Sequence, residues 1–530
     1  MINSAAMLNE SLKTRARDLG LRFQCGGDGD INATVAIIGE GPGQEEVNKE
    51  LPFVGASGRL LWNSLRPYHI YRPSVYVTNV CKRQISLAKN SRYPVLKDEW
   101  IKWKHLLQWE LAQMPNLRYI LCMGNASLDA LFGSDKVTNH RGSVYTYQDK
   151  QALITFNPAA VIREPKNEIV FLMDVRRFND VVQGDFKQHS VLAHINPSFD
   201  QARDWIAHCK NSTAPVSWDI ETIAGQTACH GLAVSDDEAM CINLRDRLHN
   251  RYSAEQELQL LFELQDLFDA KKPIAQNGNF DAHWCAYKDL LDVKIGFDTM
   301  LAHHTLYPIL PHNLGFLTAQ YTTHPYYKDE VDEFKEGGNI NTFWTYNCKD
   351  AAITHGVAAK LIVELKEQKL YDFFVTHVMR LDPHLVRSTA DGVRVDMSVK
   401  GEISRGMAED VRKIEDSFHS LVQSAIRLGD DFRPNIRSNA QMRHLFLERL
   451  HLKSTTGSVD KDQRKAWLDD SRVSQDHKDI ILKYDEFQRE SKFFSTYAEM
   501  RVDPDNRFRT VWKQQGVTKA PGRLSSSGNL

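Results

Sequence analysis

No apolar run in these 530 residues approaches the ~20 positions needed to cross a bilayer, and the N-terminus lacks the apolar core of a secretory signal. Paired cysteines are missing too. The eight cysteines are scattered and none forms a CxxC pair, which excludes a disulfide framework and predicts a reduced chain in the cytoplasm. Neither sign of charge is in excess: 66 Lys and Arg face 68 Asp and Glu, a net charge of −2. A uniformly basic footprint is therefore excluded, and any surface that binds a polyanion has to be local. No internal repeat and no low-complexity tract is present, which removes solenoid architectures. What remains is ordinary globular material, 42% hydrophobic and 25% charged, long enough for about three domains.

The most informative residues are acids. Asp219 and Glu221 lie two apart in Val216-Ser-Trp-Asp-Ile-Glu-Thr222. Asp281 closes Asn277-Gly-Asn-Phe-Asp281, and Asp350 closes Tyr346-Asn-Cys-Lys-Asp350. The segment 216–220 reads as a buried strand ending at the acids. Positions i and i+2 share a strand face, so Asp219 and Glu221 can share one cation. The segment 341–361 reads as helix, where i and i+4 share a face, so Tyr346 and Asp350 point into one cleft. Asn277 and Asp281 have the same spacing. Hard oxygen ligands suit Mg²⁺ or Mn²⁺, and two such ions held by four acids can cut a phosphodiester.

In this order and spacing the motifs resemble the DEDDy 3′→5′ exonucleases, in the form found beside family A DNA polymerases. Phe297-Asp-Thr-Met-Leu301 and His312-Asn-Leu314 resemble that family's intermediate landmarks, and the likeness covers residues 190–375. It implies a ribonuclease H-like domain with Asp219, Glu221, Asp281, Tyr346 and Asp350 as catalytic residues. Asp219 is expected to bridge two metal ions, Glu221 and Asp350 to complete the tighter site, and Asp281 to support the second through water. Tyr346 is expected to orient the attacking water. Asn277 and Phe280 fall to the substrate, and Asp298 is expected to be a structural acid.

The first 180 residues read differently. Buried strands are expected at 35–38, 75–80, 119–124 and 153–156, separated by helices, the pattern of an α/β layered domain with its site at strand ends. The first strand runs into Gly39-Glu40-Gly41-Pro42-Gly43, where small residues let backbone approach a ligand. These segments, with Phe53, Asn79 and Asn157-Pro158-Ala159, resemble the uracil-DNA glycosylase superfamily, nearest its iron–sulfur type. The resemblance implies a base pocket of Gly39, Glu40, Gly41, Pro42, Gly43, Phe53, Asn79 and Asn157. Phe53 would stack on a flipped base and Asn79 would read its edge. Two departures stand out. Asn157 replaces the usual His, and a neutral amide is a poorer stabiliser of a departing base anion. The cluster ligands are missing, since Cys25 stands alone before the first strand, Cys81 is displaced by one, and residues 100–103 hold no cysteine. Four thiolates are needed, so no iron–sulfur cluster is expected. Base sensing without cleavage and weak or altered excision both remain open.

From about residue 376 the pattern turns helical. Asp391-Gly-Val-Arg-Val-Asp396, Arg433-Pro-Asn435, Ser438-Asn-Ala-Gln441 and the closing Gly522-Arg-Leu-Ser-Ser526 resemble the thumb and first palm strands of a family A DNA polymerase. The family's palm acids and fingers come after this point, so the chain alone is not expected to polymerise DNA; it is expected to be either one half of a split polymerase, with a second polypeptide carrying palm and fingers, or a product cut short. Arg501, Arg507, Arg509, Lys513, Lys519 and Arg523 form a basic stretch suited to backbone phosphates, Lys519 and Arg523 above all.

The fold expected is thus multidomain α/β: a glycosylase-like domain over 1–180, an exonuclease over 181–375, and a helical thumb with the start of a palm over 376–530. The arrangement resembles certain bacteriophage replicative polymerases, which implies the host cytoplasm, primer-template DNA as partner, and a proofreading nuclease fused to a base-sensing domain. Two alternatives stand beside it: a base-excision uracil-DNA glycosylase, and a non-catalytic DNA-binding subunit of a split polymerase.

Overall fold

The computed structural model describes residues 3–85, 97–335, 337–426, 432–454, 457–514 and 524–527. The chain divides into two compact units, the first built chiefly from Met1–His384 and the second chiefly from Leu385–Lys513.

The first unit carries two six-stranded sheets. One contains β1 (Asp28–Gly29), β2 (Val35–Gly39), β3 (Tyr76–Asn79), β4 (Tyr119–Met123), β5 (Val144–Tyr147) and β6 (Lys150–Thr155), in the order β1-β3-β2-β4-β6-β5. Strands β3, β2, β4 and β6 run parallel, and the edges β1 and β5 are antiparallel. Every residue of β2 and β3 is buried, as a parallel sheet covered on both faces requires. The four strands expected from the sequence are all here. The edge strands escaped it because Asp28–Gly29 is too short and Val144–Tyr147 alternates only weakly. Beneath β3 lies a fully buried ion pair. Lys82 Nζ reaches Glu110 Oε2, Thr78 Oγ1 and the Asn79 carbonyl, each at 2.6 Å. Glu110 also accepts from the Tyr76 and Thr78 hydroxyls.

The other sheet contains β7 (Leu192–His194), β8 (Ser217–Ile223), β9 (Gln226–Ala233), β10 (Glu238–Asn243), β11 (Ile274–Ala275) and β12 (Phe297–Asp298), in the order β12-β11-β8-β9-β10-β7. Two expectations need correcting. Strand β8 does not end at the acids; it runs on to Ile223 and turns back through Ala224 and Gly225, both at positive φ, into β9. That two-residue turn matches the twist of a hairpin, so Asp219 and Glu221 sit in mid-strand. Asn277 does not share a helical face with Asp281. It is the N-cap of Gly278–Lys288, at φ 59°, because only one residue separates it from the end of β11.

The helix Ile340–Glu367 lies across β8, β9 and β10 and buries Tyr346, Asn347 and Asp350 among its apolar residues. Gly231 on β9 allows that approach: a Cβ there would come within 2.6 Å of the Asn347 side chain.

In the second unit, the helices Met397–Ala425 and Gln475–Phe493 enclose a core of Phe418, Phe446, Trp467, Ile480, Tyr484 and Phe487. Two of the basic residues expected to face phosphates are engaged within it. Arg509 pairs with Asp503 and Asp505, and Arg507 donates to the Asp391 carbonyl. Lys519 and Arg523 lie outside the described residues. Among the described residues no helix is long and apolar enough to cross a membrane.

Candidate active site and base pocket

Asp219 and Glu221 point from β8, and Asp350 from the helix Ile340–Glu367 laid against it. One carboxylate oxygen of each lies within 4.8 Å of the others, and among the described residues no other set of three His, Cys, Asp or Glu converges in this way. Asp219 Oδ2 accepts from Asn347 Nδ2 at 2.8 Å. Asp281, buried in the first turn of its helix, is not one of the three; its Oδ1 faces the Ile220 amide at 3.4 Å. Asp298 does structural work: it accepts from the amides of Gly278, Met300 and Leu301, tying two helix starts together. Asn277 and Phe280 are exposed at the same end of the sheet, the Phe280 ring stacked on Trp284.

Crowding and burial shape the electrostatics. Burial, then the charges of Asp350, Glu221 and Asp281, push the Asp219 carboxyl well above its ordinary range. Burial likewise raises Asp281 to about 7, against the pull of the Ile220 amide. The Tyr346 phenol is raised by burial first and then by Asp350, so it keeps its proton at neutral pH. A set of hard oxygens this close, raised by mutual repulsion, fits a divalent cation of the Mg²⁺ class. The countercharge on the protein side is Lys328, whose Nζ lies 2.6 Å from both Asp350 oxygens and 2.9 Å from the Tyr346 hydroxyl. Tyr327 donates to Asp350 Oδ1 at 2.5 Å. Neither Tyr327 nor Lys328 was foreseen, since their segment has no periodicity and no motif. Asn347 was readable, because it sits three residues before Asp350 on the helix.

The expected base pocket lies at the C-terminal ends of β2, β3 and β6. Gly39 and Asn79 are register partners. A Cβ on Gly39 would stand 2.5 Å from both Asn79 Oδ1 and the Phe53 ring, so glycine is what lets the three meet. Phe53 is buried at φ 53°, a left-handed conformation that a bulky residue adopts only under restraint. The restraint is visible: Trp62 Nε1 and Arg72 Nη1 donate to the Phe53 carbonyl, and Arg72 is held by Asp28. Glu46, unforeseen and buried, accepts from the Gly43 amide and draws the loop of Gly41, Pro42 and Gly43 toward the Phe53 turn. Glu40 is half-buried at the head of that loop. Asn79 is 2% exposed, and among the described residues its Nδ2 has no hydrogen-bond partner. Asn157 spends its side-chain oxygen as the N-cap of Pro158–Arg163, accepting from the Ala159 amide. Burial pushes the Cys25 thiol up to about 12 and the Cys81 thiol higher still.

Comparison with known proteins falls into the same two parts. A family model described as the uracil DNA glycosylase superfamily matches residues 27–181, and one described as a 3′-5′ exonuclease, of the DNA polymerase A type, matches residues 195–366. The type-4 uracil-DNA glycosylase of Thermotoga maritima is 30% identical over 162 residues, 30% of this chain and 82% of that protein. A DNA polymerase of Bacillus phage SP01 is 24% identical over an alignment 592 positions long, gaps included, that covers 94% of this chain; the chain spans 62% of that polymerase's length. Among solved structures, the POL domain of Pol1 from M. smegmatis, in complex with DNA primer-template and dNTP, matches with a TM-score of 0.45 and 16% identity, over 64% of this chain and 55% of that one.

Proposed function

Since the chain belongs to the uracil DNA glycosylase superfamily through residues 27–181 and continues into a 3′-5′ exonuclease domain over residues 195–366, we propose that it proofreads DNA synthesis by hydrolysing the 3′-terminal phosphodiester. The single observation that carries this is the convergence of Asp219, Glu221 and Asp350 within 4.8 Å, with Asp281 and Tyr346 beside them. In this assignment the exonuclease spans 181–375, the glycosylase-like domain 1–180 and the thumb 376–530.

Asp219, Glu221 and Asp350 would hold one Mg²⁺ or Mn²⁺ and Asp281 would help hold a second; bound there, the ions supply Lewis acidity and neutralise charge on the leaving oxygen. The protein's own groups do the rest. Asn347 fixes the rotamer of Asp219. Tyr346, protonated, orients the attacking water. That water's oxygen bonds to phosphorus and gives one proton to solvent, while the bond from phosphorus to the 3′ oxygen breaks and that oxygen takes up a proton from solvent to become the new 3′ hydroxyl. Asn277 and Phe280, exposed beside the site, contact the terminal nucleotide. The partner is a DNA 3′ end. No step of the nuclease reaction depends on a polymerase palm or fingers.

A second role, base sensing or weak excision in the N-terminal domain, is favoured by the buried Asn79 Nδ2, which has no partner among the described residues. An amide can offer that donor to a base carbonyl. Both roles are tested together by digesting a 5′-labelled single strand with one internal uracil, in Mg²⁺ and in EDTA, with wild type and Asp219→Ala. A metal-dependent ladder absent from the variant supports the nuclease, and an alkali-labile break at uracil supports excision. A folded wild type that leaves the strand intact refutes the nuclease assignment.

A further inference from the structure

Between the helices Leu314–Tyr321 and Glu330–Lys335 the chain crosses eight residues, 322–329, without regular structure. One side of this segment is fastened to the glycosylase-like domain. The Tyr326 amide donates to Ser143 Oγ at 3.1 Å, the Tyr326 ring meets His140 with centroids 4.9 Å apart, and Asp329 faces His140 Nε2 at 3.8 Å. Just before it, Arg141 is anchored on Asp174 and lies 5.1 Å from the Phe316 ring. Gly142, at φ +76°, passes so near Ala319 that a Cβ would meet its carbonyl at 3.1 Å. The other side enters the nuclease site, where Tyr327 and Lys328 bond Asp350, and Lys328 also bonds Tyr346.

We propose that residues 322–329 are a strap by which the glycosylase-like domain sets the place of Lys328, and that Lys328 is a positioning residue for Tyr346 in DNA cleavage. This rests on the nuclease assignment above. The chemistry is directional. An ammonium donates and cannot accept, so the Tyr346 oxygen accepts from Lys328 and its own proton must turn to another acceptor. Lys328 thereby sets which way the phenol points. A lysine stem is flexible and cannot do this unaided. Its neighbours Tyr326 and Asp329, both held at His140, fix the backbone from which it reaches.

The test uses the full chain and single-turnover degradation of a labelled strand across a Mg²⁺ titration. Lys328→Met, similar in length but uncharged, is expected to slow cleavage at least about tenfold. It should also lower the half-saturating Mg²⁺ by about threefold, because a competing cation beside Asp350 is gone. Added to Tyr346→Phe it should cost less than about twofold more, since its effect passes through that phenol. The pair His140→Ala and Ser143→Ala, in the other domain, should show the same pattern at about threefold. Lys328→Arg should retain part of the rate. A rate loss that adds fully to Tyr346→Phe, or a Mg²⁺ requirement that rises as the rate falls, overturns the proposal, because a loosened site does both. Wild-type cleavage with Lys328→Met unaffected also overturns it while leaving the nuclease assignment standing. A folded wild type without Mg²⁺-dependent cleavage overturns the assignment itself.

Discussion

Replacing Asp219 by Ala should separate the stability of the nuclease site from its chemistry. Three carboxylates converge here with ligand oxygens within 4.8 Å, and two unit charges at that distance repel by about 3 kcal/mol at an effective dielectric of 20. Asp219 faces two such neighbours, Glu221 and Asp350. Lys328 offsets part of the repulsion, and the raised proton affinity of Asp219 offsets more. A net relief of ~1–2 kcal/mol at pH 8 without metal is what remains. The loss on the other side is one hydrogen bond from Asn347, worth about 1 kcal/mol, and the Asn347 amide keeps the Asp219 backbone carbonyl within 3.4 Å. The variant should therefore melt at or slightly above wild type in EDTA. In Mg²⁺ at a hundred times its dissociation constant the order should reverse, because wild type gains about 2.7 kcal/mol that the variant cannot. Cleavage should fall by about 10³-fold or more, ~4 kcal/mol of lost transition-state stabilisation. Differential scanning fluorimetry in the two buffers, with a strand-degradation assay alongside, reads all three quantities. If Asp219→Ala melts well below wild type in EDTA, the acids are a supporting network and the metal-site reasoning fails.

Tyr346→Phe should slow degradation by about 10–100-fold with the Mg²⁺ requirement unchanged, since an orienting hydroxyl is lost and no ligand is; a shifted metal requirement in the titration would count against that role. Gly58→Ala should lower the melting temperature and abolish any preference for uracil-containing DNA, because its Cβ would lie 2.0 Å from the Phe53 carbonyl oxygen. Such overpacking costs about 1–3 kcal/mol; a plain strand should still be degraded within about threefold of the wild-type rate, as competition binding and degradation assays would report. Burial, then the Asp382 charge, raises the buried Asp298 from 3.8 to about 7. The folded chain keeps that proton between pH 4 and 7 while the unfolded chain has released it, so this group's stabilisation is complete below pH 4 and is lost as pH rises through 7. Stability in EDTA should accordingly fall between pH 4 and 7, by at most about 4 kcal/mol from this residue, and Asp298→Asn should flatten the slope; an equal slope in the variant would show that Asp298 does not carry it.

The parts of the fold that could be read in advance share one property: their signal lies in consecutive residues. Val35–Gly39 and Tyr119–Met123 are apolar runs and became central strands. Tyr346 and Asp350 lie one helical turn apart and reached the same cleft. The residues that escaped are specified by tertiary neighbours. Lys328 has meaning only once β8 and the helix Ile340–Glu367 bring three acids to its ammonium. Glu46 reads as an ordinary first-turn acid until the Phe53 turn folds over it. Asn277 was misread because a four-residue interval looks helical on paper, whereas its left-handed backbone ends the strand turn before the helix begins.

If the N-terminal domain senses bases as proposed, the buried pair of Lys82 and Glu110 sets stability and recognition against each other. A wholly buried pair of charges surrenders much of its attraction to lost hydration, and well-packed hydrocarbon in the same volume is often the firmer choice. Yet the three protons of Lys82 meet three acceptors, one of them the carbonyl of Asn79 itself. A greasy replacement would hold the strand just as tightly while tolerating a small slide along its axis, and Asn79, the residue proposed to read a base, would slide with it. An engineer seeking a heat-resistant form of this chain would be drawn to Lys82 and Glu110 first, and on the proposed role would obtain a sturdier protein with a blurred sense of which base it holds.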